Sequence, residues 1–158
     1  MTGAPVSTSF FQRLFWRMLI HFKALLHPVA FGAMGAVSDE RGRVLLVRHR
    51  YQPGWQLPGG GVARREAPDV AVLRELAEEV GLAGGTAHLF GLYTAPAGYA
   101  SNLVALYRIE GGAIAFRPGL EISAICFADP ADPPPGCTPA TLRRLAELAG
   151  RAEASPWW

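Results

Sequence analysis

Apolar residues recur at helical spacing between Pro68 and Gly81. At about 100° per residue the apolar side chains share one stripe and the acidic side chains fall on roughly the opposite side: Val72, Leu73, Leu76 and Val80 against Glu75, Glu78 and Glu79. Pro68 suits the first turn, where a helix needs no N–H donor, and Gly81 supplies a stop. The pattern predicts a helix over 68–80 that packs on one face and is acidic on the other.

Other apolar runs predict strands, bounded by turn residues, at 29–37, 43–48, 88–94, 102–109 and 122–127. The polar stretch 38–42 between the first two runs predicts a hairpin. The proline-rich stretch 129–136 predicts a loop, after which Thr138 and Pro139 predict the cap and first turn of a last helix. Strands enclosed by helices indicate an α/β sandwich around a mixed β-sheet.

The N-terminal segment, residues 1–28, predicts an amphipathic helix with a basic face. Its apolar positions follow helical spacing, with charged and polar residues between them: Phe11, Leu14, Phe15, Met18, Leu19, Phe22, Leu25 and Leu26. Arg13 and Arg17 interrupt any long apolar run, so neither a membrane span nor a secretory signal is expected. Packing on the domain is favoured first, pairing with a second subunit in a homodimer second, and contact with a membrane surface last.

Composition sets the class of protein. The 158 residues are 50% hydrophobic and 18% charged, which predicts one globular domain over 29–158 behind the N-terminal helix. A net charge of +2 is too small to indicate a nucleic-acid partner. Cys126 and Cys137 form no metal-ligand or redox motif, so we expect free thiols and a reducing, cytoplasmic setting.

The acidic face of the predicted helix suggests a site for a metal ion bound against phosphates. Three neighbouring carboxylates repel one another, and hard oxygen ligands of this kind suit Mg²⁺ or Mn²⁺ bound against phosphates. The glycines at 59–61, just upstream, let backbone approach such a ligand closely. The alternative is an ordinary solvated helix face with Arg74 as an ion-pair partner.

The run from Gly60 to Leu82 resembles a complete Nudix box, because every fixed position of that pattern is matched: Gly60, Glu66, Arg74, Glu75, Leu76, Glu78, Glu79, Gly81 and Leu82. The resemblance implies a Nudix-like α/β/α sandwich. It also implies metal-dependent hydrolysis of a nucleoside diphosphate linked to another group, such as a nucleoside triphosphate, ADP-ribose or a nucleotide sugar. A small-molecule nucleotide would be the partner.

The same resemblance assigns roles by position. Glu75, Glu78 and Glu79 would bind Mg²⁺ or Mn²⁺, helped by the main-chain carbonyl of Gly59 or Gly60. Glu66 and Arg74 would pair to fix the loop against the helix, and Glu79 or Glu75 would act as the base. Outside the box, Glu121 is the best-placed further carboxylate, with a solvated turn residue as its alternative.

Substrate contacts and substrate identity stay open at this stage. Arg48 and Arg50 could neutralise phosphates or be solvated, and His49 and Tyr51 could touch a substrate or be structural. Pro96 resembles a feature of ADP-ribose hydrolases, whereas Tyr99 resembles one of dinucleoside polyphosphate hydrolases. A non-catalytic nucleotide-sensing or protein-interaction module on the same fold is the alternative function, although such modules are expected to have lost box carboxylates.

Overall fold

The structure is a computed structural model that describes residues 29–97 and 100–158, together with Met18. The rest of the predicted N-terminal helix, and Tyr99, lie outside the described residues. The described part contains nine strands, β1 to β9, and two helices, α1 and α2. In chain order they are β1 Val29–Val37, β2 Val44–His49, β3 Trp55–Gln56, β4 Gly59–Gly61, α1 Pro68–Val80, β5 Leu82–Ala83, β6 Thr86–Ala97, β7 Ala100–Glu110, β8 Ala113–Ile114, β9 Ile122–Ala128 and α2 Pro139–Leu148.

The larger sheet is mixed, as predicted. Its strand order is β4-β1-β7-β6, in which β1 and β7 run parallel and the other pairs are antiparallel. The parallel register extends from Val29 opposite Ser101 to Val37 opposite Ile109. A second sheet has the order β3-β2-β9, and β5 pairs with β8 in a short ribbon.

The predicted hairpin between β1 and β2 is wrong, although the turn itself forms. The N–H of Asp39 donates to the Arg43 carbonyl at 3.0 Å, and Ser38 and Val44 form an isolated bridge. Beyond that bridge the two strands enter different sheets. Strand β7 pairs with β1 along its whole length on one edge and β4 occupies Gly32–Met34 on the other, while β2 pairs with β3 and β9 instead.

Two buried clusters lie on opposite sides of the strands, and alternate strand residues contribute to each. One cluster joins Ala33, Val37, Leu45 and Val47 to the apolar stripe of α1. The other joins Ala36, Val44, Leu46 and Leu106 to Leu145 of α2. The helices therefore cover the two sides of the strands, which confirms the predicted α/β sandwich.

Helix α1 has the predicted bounds. Pro68 occupies its first turn, and Gly81 ends it in the left-handed conformation with φ of 69°, donating its N–H to the carbonyls of Ala77 and Leu76. The helix packs closely on β1, because a Cβ added to Gly35 would lie 2.7 Å from a methyl group of Leu76. No helix among the described residues is long and apolar enough to cross a membrane.

Candidate active site

Arg74 joins the loop before α1 to the helix itself. Its Nε and Nη2 donate to the two carboxylate oxygens of Glu66 at 2.8 and 3.0 Å, and Nη2 also donates to the Gly61 carbonyl at 3.1 Å. The guanidinium and the N–H of Ala63 lower the pKa of Glu66 to about 2. The structure therefore brings Glu66 and Arg74 together as a charged pair that fixes the loop.

The same guanidinium contacts two further carboxylates. Nη1 of Arg74 lies 2.8 Å from Oε1 of Glu75 and 3.5 Å from Oε2 of Glu78. Hydrogen bonds to Glu66 and Glu75 raise the pKa of Arg74. One cation thus offsets part of the repulsion along the acidic face, while Glu78 extends furthest into solvent, with 62% of its side chain exposed.

Glu79 points inward from α1 and is the most enclosed of the three helix carboxylates, at 7% exposure. Its Oε2 accepts a hydrogen bond of 2.8 Å from the N–H of Gly59. Burial, together with the charges of Glu75, Glu121 and Glu78, nevertheless raises the pKa of Glu79 to about 7. The single hydrogen bond from Gly59 therefore does not offset the burial of Glu79 and the repulsion from its neighbouring carboxylates.

His49, at the end of β2, faces the same carboxylate. Its Nε2 lies 3.9 Å from Oε1 of Glu79. Burial lowers the pKa of His49, and its Nδ1 is buried without a hydrogen-bond partner in the described part of the chain. With the histidine pKa lowered and the glutamate pKa raised, the contact is not a strong ion pair at neutral pH.

Strand β4 can lie this close to both β1 and α1 because it consists of glycines. A Cβ added to Gly59, which has φ of 137°, would lie 2.3 Å from the Ala33 carbonyl oxygen. A Cβ added to Gly60 would lie 2.5 Å from the carboxyl carbon of Glu75. Gly60 therefore leaves the space in which the Glu75 carboxylate sits against the backbone.

These groups line a cleft of about 450 Å³, a size typical of small-molecule sites. Its lining includes the backbone of Gly59–Gly61 together with Glu75, Glu79, Glu121 and Tyr51. An adjoining space of about 250 Å³ is lined by Glu75, Glu78, Glu79 and Glu121. The structure thus places Glu121 beside the box carboxylates.

Arg48 and Arg50 do not line the described cleft. The guanidinium carbon of Arg48 lies 4.3 Å from the centroid of the Trp55 ring, a cation–π contact. Nε of Arg50 donates to the Gly119 carbonyl at 2.9 Å. Both arginines therefore have protein partners outside the cleft.

Several lining residues escaped the sequence analysis as candidates: Met34, Gln52, Gln56, Asn102 and Trp158. They come from β1, the β2–β3 connection, β3, β7 and the C-terminal tail, so no local spacing links them. His49 was noted, but its approach to Glu79 depends on how β2 packs beside α1. Only tertiary structure brings these residues to one cleft.

The donor set at the acidic end fits a hard divalent cation. Carboxylates of Glu75, Glu78 and Glu79 and carbonyls of Gly59 and Gly60 are oxygen ligands of the kind that Mg²⁺ and Mn²⁺ prefer. Within 29–97 and 100–158, no three His, Cys, Asp or Glu side chains already converge in a metal-ligand arrangement. Arg74 and the Gly59 N–H contact oxygens of these carboxylates instead.

The fold and the site together define an α/β protein in which an acidic helix and a glycine strand form one end of a ligand cleft. The family model described as NUDIX domain matches residues 26–147. The match covers well over half of the chain, and the protein belongs to the NUDIX family.

Relatives and solved structures agree with this assignment. An RNA pyrophosphohydrolase of Pseudomonas paraeruginosa is 49% identical over 49 residues, which is 31% of this chain and 31% of that protein. A Bacillus subtilis protein provisionally named as an 8-oxo-dGTP diphosphatase is 29% identical over 77% of this chain and 81% of its own length. The crystal structure of a MutT NUDIX hydrolase from Burkholderia pseudomallei aligns with a TM-score of 0.67 and 26% identity, covering 77% of this chain and 98% of that one.

Proposed function

We propose that this protein is a metal-dependent hydrolase that cleaves the diphosphate linkage of a nucleoside diphosphate joined to another group. The observation that carries the proposal is the meeting of Glu75, Glu79 and the Gly59–Gly61 backbone at one end of a cleft. Diphosphates are polyanions, so carboxylates at such a place are useful only when a cation stands between them and the substrate. The relatives named as pyrophosphohydrolase and diphosphatase support the same reaction class.

Glu75, Glu78 and Glu79, with the carbonyl of Gly59 or Gly60, would hold Mg²⁺ or Mn²⁺. A bound divalent cation neutralises phosphate oxygens and lowers the pKa of bound water. The repulsion that raises the pKa of Glu79 supports this role, because a cation at the site would relieve it. Hydrogen bonds from Arg74 orient the carboxylates of Glu75 and Glu78 when no cation is bound.

Glu79 is the favoured acceptor of the proton from the attacking water, with Glu75 and Glu121 as the other carboxylates of the cleft. It is the most enclosed of the three helix carboxylates and it lines the cleft, so a water in the cleft would lie near its oxygens. His49 lies 3.9 Å from Glu79 and can influence where that proton goes. Water would attack phosphorus, the phosphoanhydride bond would break, and a nucleotide would leave.

Among the candidate substrates, a nucleoside triphosphate is favoured over ADP-ribose and nucleotide sugars. The B. subtilis relative matches most of this chain and is provisionally named for a deoxynucleoside triphosphate. The RNA pyrophosphohydrolase match covers a third of either chain and carries less weight. The non-catalytic alternative is disfavoured because every acidic position of the box is intact.

The test is nucleotide and phosphate release from nucleoside triphosphates, ADP-ribose, sugar nucleotides and dinucleoside polyphosphates. Each substrate is assayed with Mg²⁺, with Mn²⁺ and with EDTA. We expect cleavage of the triphosphates in either metal and none in EDTA. Cleavage that persists in EDTA would contradict metal dependence, and no cleavage of any member by folded protein would contradict the hydrolase.

A further inference from the structure

The tail Ser155–Trp158 is bound to the edge of the larger sheet. The N–H of Thr94 in β6 donates to the Pro156 carbonyl at 2.8 Å, and the N–H of Trp158 donates back to the Thr94 carbonyl at 2.9 Å. Thr94 and Trp157 thereby form a parallel bridge. The tail is a short extension of the sheet beyond β6.

A buried ion pair on α2 holds the tail in place. Arg144 is fully buried, and its Nη2 donates to Oε1 of Glu147 at 2.6 Å while its Nη1 donates to the Trp157 carbonyl at 3.0 Å. The same Glu147 oxygen accepts from the N–H of Ser155 at 3.0 Å. Buried charges are costly unless they are paired and hydrogen-bonded, and the docked tail supplies one hydrogen bond to each member of this pair, while Nε of Arg144 has no partner in the described part of the chain.

The docked tail sends its two tryptophan rings to different surroundings. Trp157 is 57% exposed. The Trp158 ring packs edge-on against Tyr93, with centroids 5.5 Å apart and planes at 67°, and the Arg144 guanidinium lies 5.5 Å from its centroid. Trp158 also lines the cleft that contains Glu75 and Glu79.

Trp158 stands across the sheet from the carboxylates. Strand β4, against which Glu75 and Glu79 sit, is one edge of the order β4-β1-β7-β6, and the tail lies along the other edge. Because the tail lies one position beyond β6, four strand spacings separate it from β4, which is about 19 Å. Between them the cleft is lined by Met34 of β1 and by Asn102 and Val104 of β7.

This arrangement matches a ligand that is charged at one end and planar at the other. We propose that the Trp158 ring is the stacking surface for the nucleobase of the substrate, with the amide of Asn102 available for hydrogen bonds to the base edge. The inference rests on the proposed function only in taking the substrate to be a nucleotide. Arg144 and Glu147 act as positioning residues, because they hold the tail that carries the ring.

Binding without turnover tests this directly. The full chain is titrated with purine and pyrimidine nucleoside 5′-monophosphates and with ribose 5-phosphate, which shares the sugar and phosphate but lacks a base. Affinities come from calorimetry, and the Trp158 indole N–H signal is followed by NMR. In the wild-type protein we expect at least one monophosphate to bind about tenfold tighter than ribose 5-phosphate and to shift that indole signal.

Trp158→Ala is expected to remove this base-dependent gain in affinity, a loss of about tenfold or more, while ribose 5-phosphate binding stays unchanged. Trp158→Phe should keep most of the gain, since it retains an aromatic face. Trp157→Ala is the matched control, because it removes a neighbouring exposed ring, and it should behave like the wild type. Melting temperatures check that each variant is folded.

Two results would overturn the proposal: wild-type affinity that does not depend on the base, or a base-dependent gain that survives Trp158→Ala. Failure of the proposed function looks different. If no substrate is hydrolysed but base-dependent binding is lost only in Trp158→Ala, the result supports stacking on Trp158 and contradicts the proposed hydrolase function. If hydrolysis occurs with the same base selectivity in Trp158→Ala as in the wild type, the result supports the hydrolase function and contradicts stacking on Trp158.

Discussion

At the scale of single residues, the site is governed by how one helix distributes its carboxylates. Glu75 and Glu78 share the Arg74 guanidinium, whereas Glu79 has one backbone donor, a largely neutral histidine and little solvent. Its pKa of about 7 records that imbalance. Glu79 is therefore the carboxylate whose charge matters most to a bound cation.

Glu79→Gln is expected to lower Mg²⁺-dependent turnover by at least about a hundredfold without unfolding the protein. The substitution removes a charge at nearly constant volume, and an amide oxygen can still accept from the Gly59 N–H. Steady-state rates with saturating Mg²⁺ and a thermal melt measure the two effects. Glu40→Gln, at an exposed turn position, is the control. Near-normal rates with an unchanged melting temperature would refute the assignment of Glu79 as a ligand.

Gly60 and Gly61 are adjacent, but a methyl group added at each position would meet different surroundings. In Gly60→Ala the new Cβ would meet the Glu75 carboxylate, whereas in Gly61→Ala it would find no atom within 4 Å. We expect Gly60→Ala to lower kcat/KM by about tenfold to a hundredfold, because a carboxylate displaced by about 1 Å is misaligned. Gly61→Ala should stay within about twofold of the wild type. Equal rates for the two variants would show that the Glu75 position does not depend on Gly60.

At the scale of elements, local signals were sufficient for α1, α2 and the long strands. The 14 residues from Pro68 to Gly81 contain all the signals for α1: its apolar stripe, the proline at its start and the glycine at its end. The predicted bounds of this helix match those of the structure. The cap of α2 is equally local, since the N–H of Thr141 donates to Oγ1 of Thr138. Strands β3, β4, β5 and β8 span two or three residues each, too few to show any periodicity.

The contact between β6 and α2 predicts a pH dependence of stability. Burial and the hydrogen bond to Glu147 raise the pKa of Tyr93 to about 12, from an ordinary value near 10. A raised pKa means that folding favours the neutral phenol. That contribution is fully present below pH 10 and is lost as the pH rises through 12.

Chemical unfolding between pH 8 and pH 12 measures this contribution. Tyr93→Phe should be less stable than the wild type at pH 8, by about 1 kcal/mol for the lost hydrogen bond, yet lose less stability on going to pH 12. Tyr51→Phe, which alters an exposed tyrosine, should follow the wild-type curve. Parallel curves for the wild type and Tyr93→Phe would contradict the raised pKa.

At the scale of the whole molecule, the sequence predicted the features that lie within one continuous segment. It did not predict the features that depend on how distant segments are arranged in the fold. The acidic helix and its glycine lead-in lie within one segment, so their spacing alone indicated the chemistry. The division of the strands into two sheets depends on which edges β4 and β7 occupy, a long-range competition that the turn at 38–42 does not reveal. Asn102 and Trp158 reach the cleft only through that topology.

Residues 1–27 give a prediction at the same scale, drawn from the sequence alone. Their amphipathic pattern favours packing on the domain or on a second subunit. Deleting them is expected to change the oligomeric state or reduce solubility, because apolar surface would lose its cover. Light scattering coupled to size-exclusion chromatography compares the two chains. A fully active truncation of unchanged assembly and solubility would count against a structural role for the segment.

The docked tail has a practical consequence for anyone handling this protein. A peptide joined after Trp158 begins beside the cleft and next to the Arg143 side chain, which donates to the main-chain oxygen of that residue. An affinity tag or reporter fused there would compete with ligands and disturb the docking of the last residues. An inactive fusion of this kind would therefore not show that the protein itself lacks activity, and a tag for activity screens should not follow Trp158 directly.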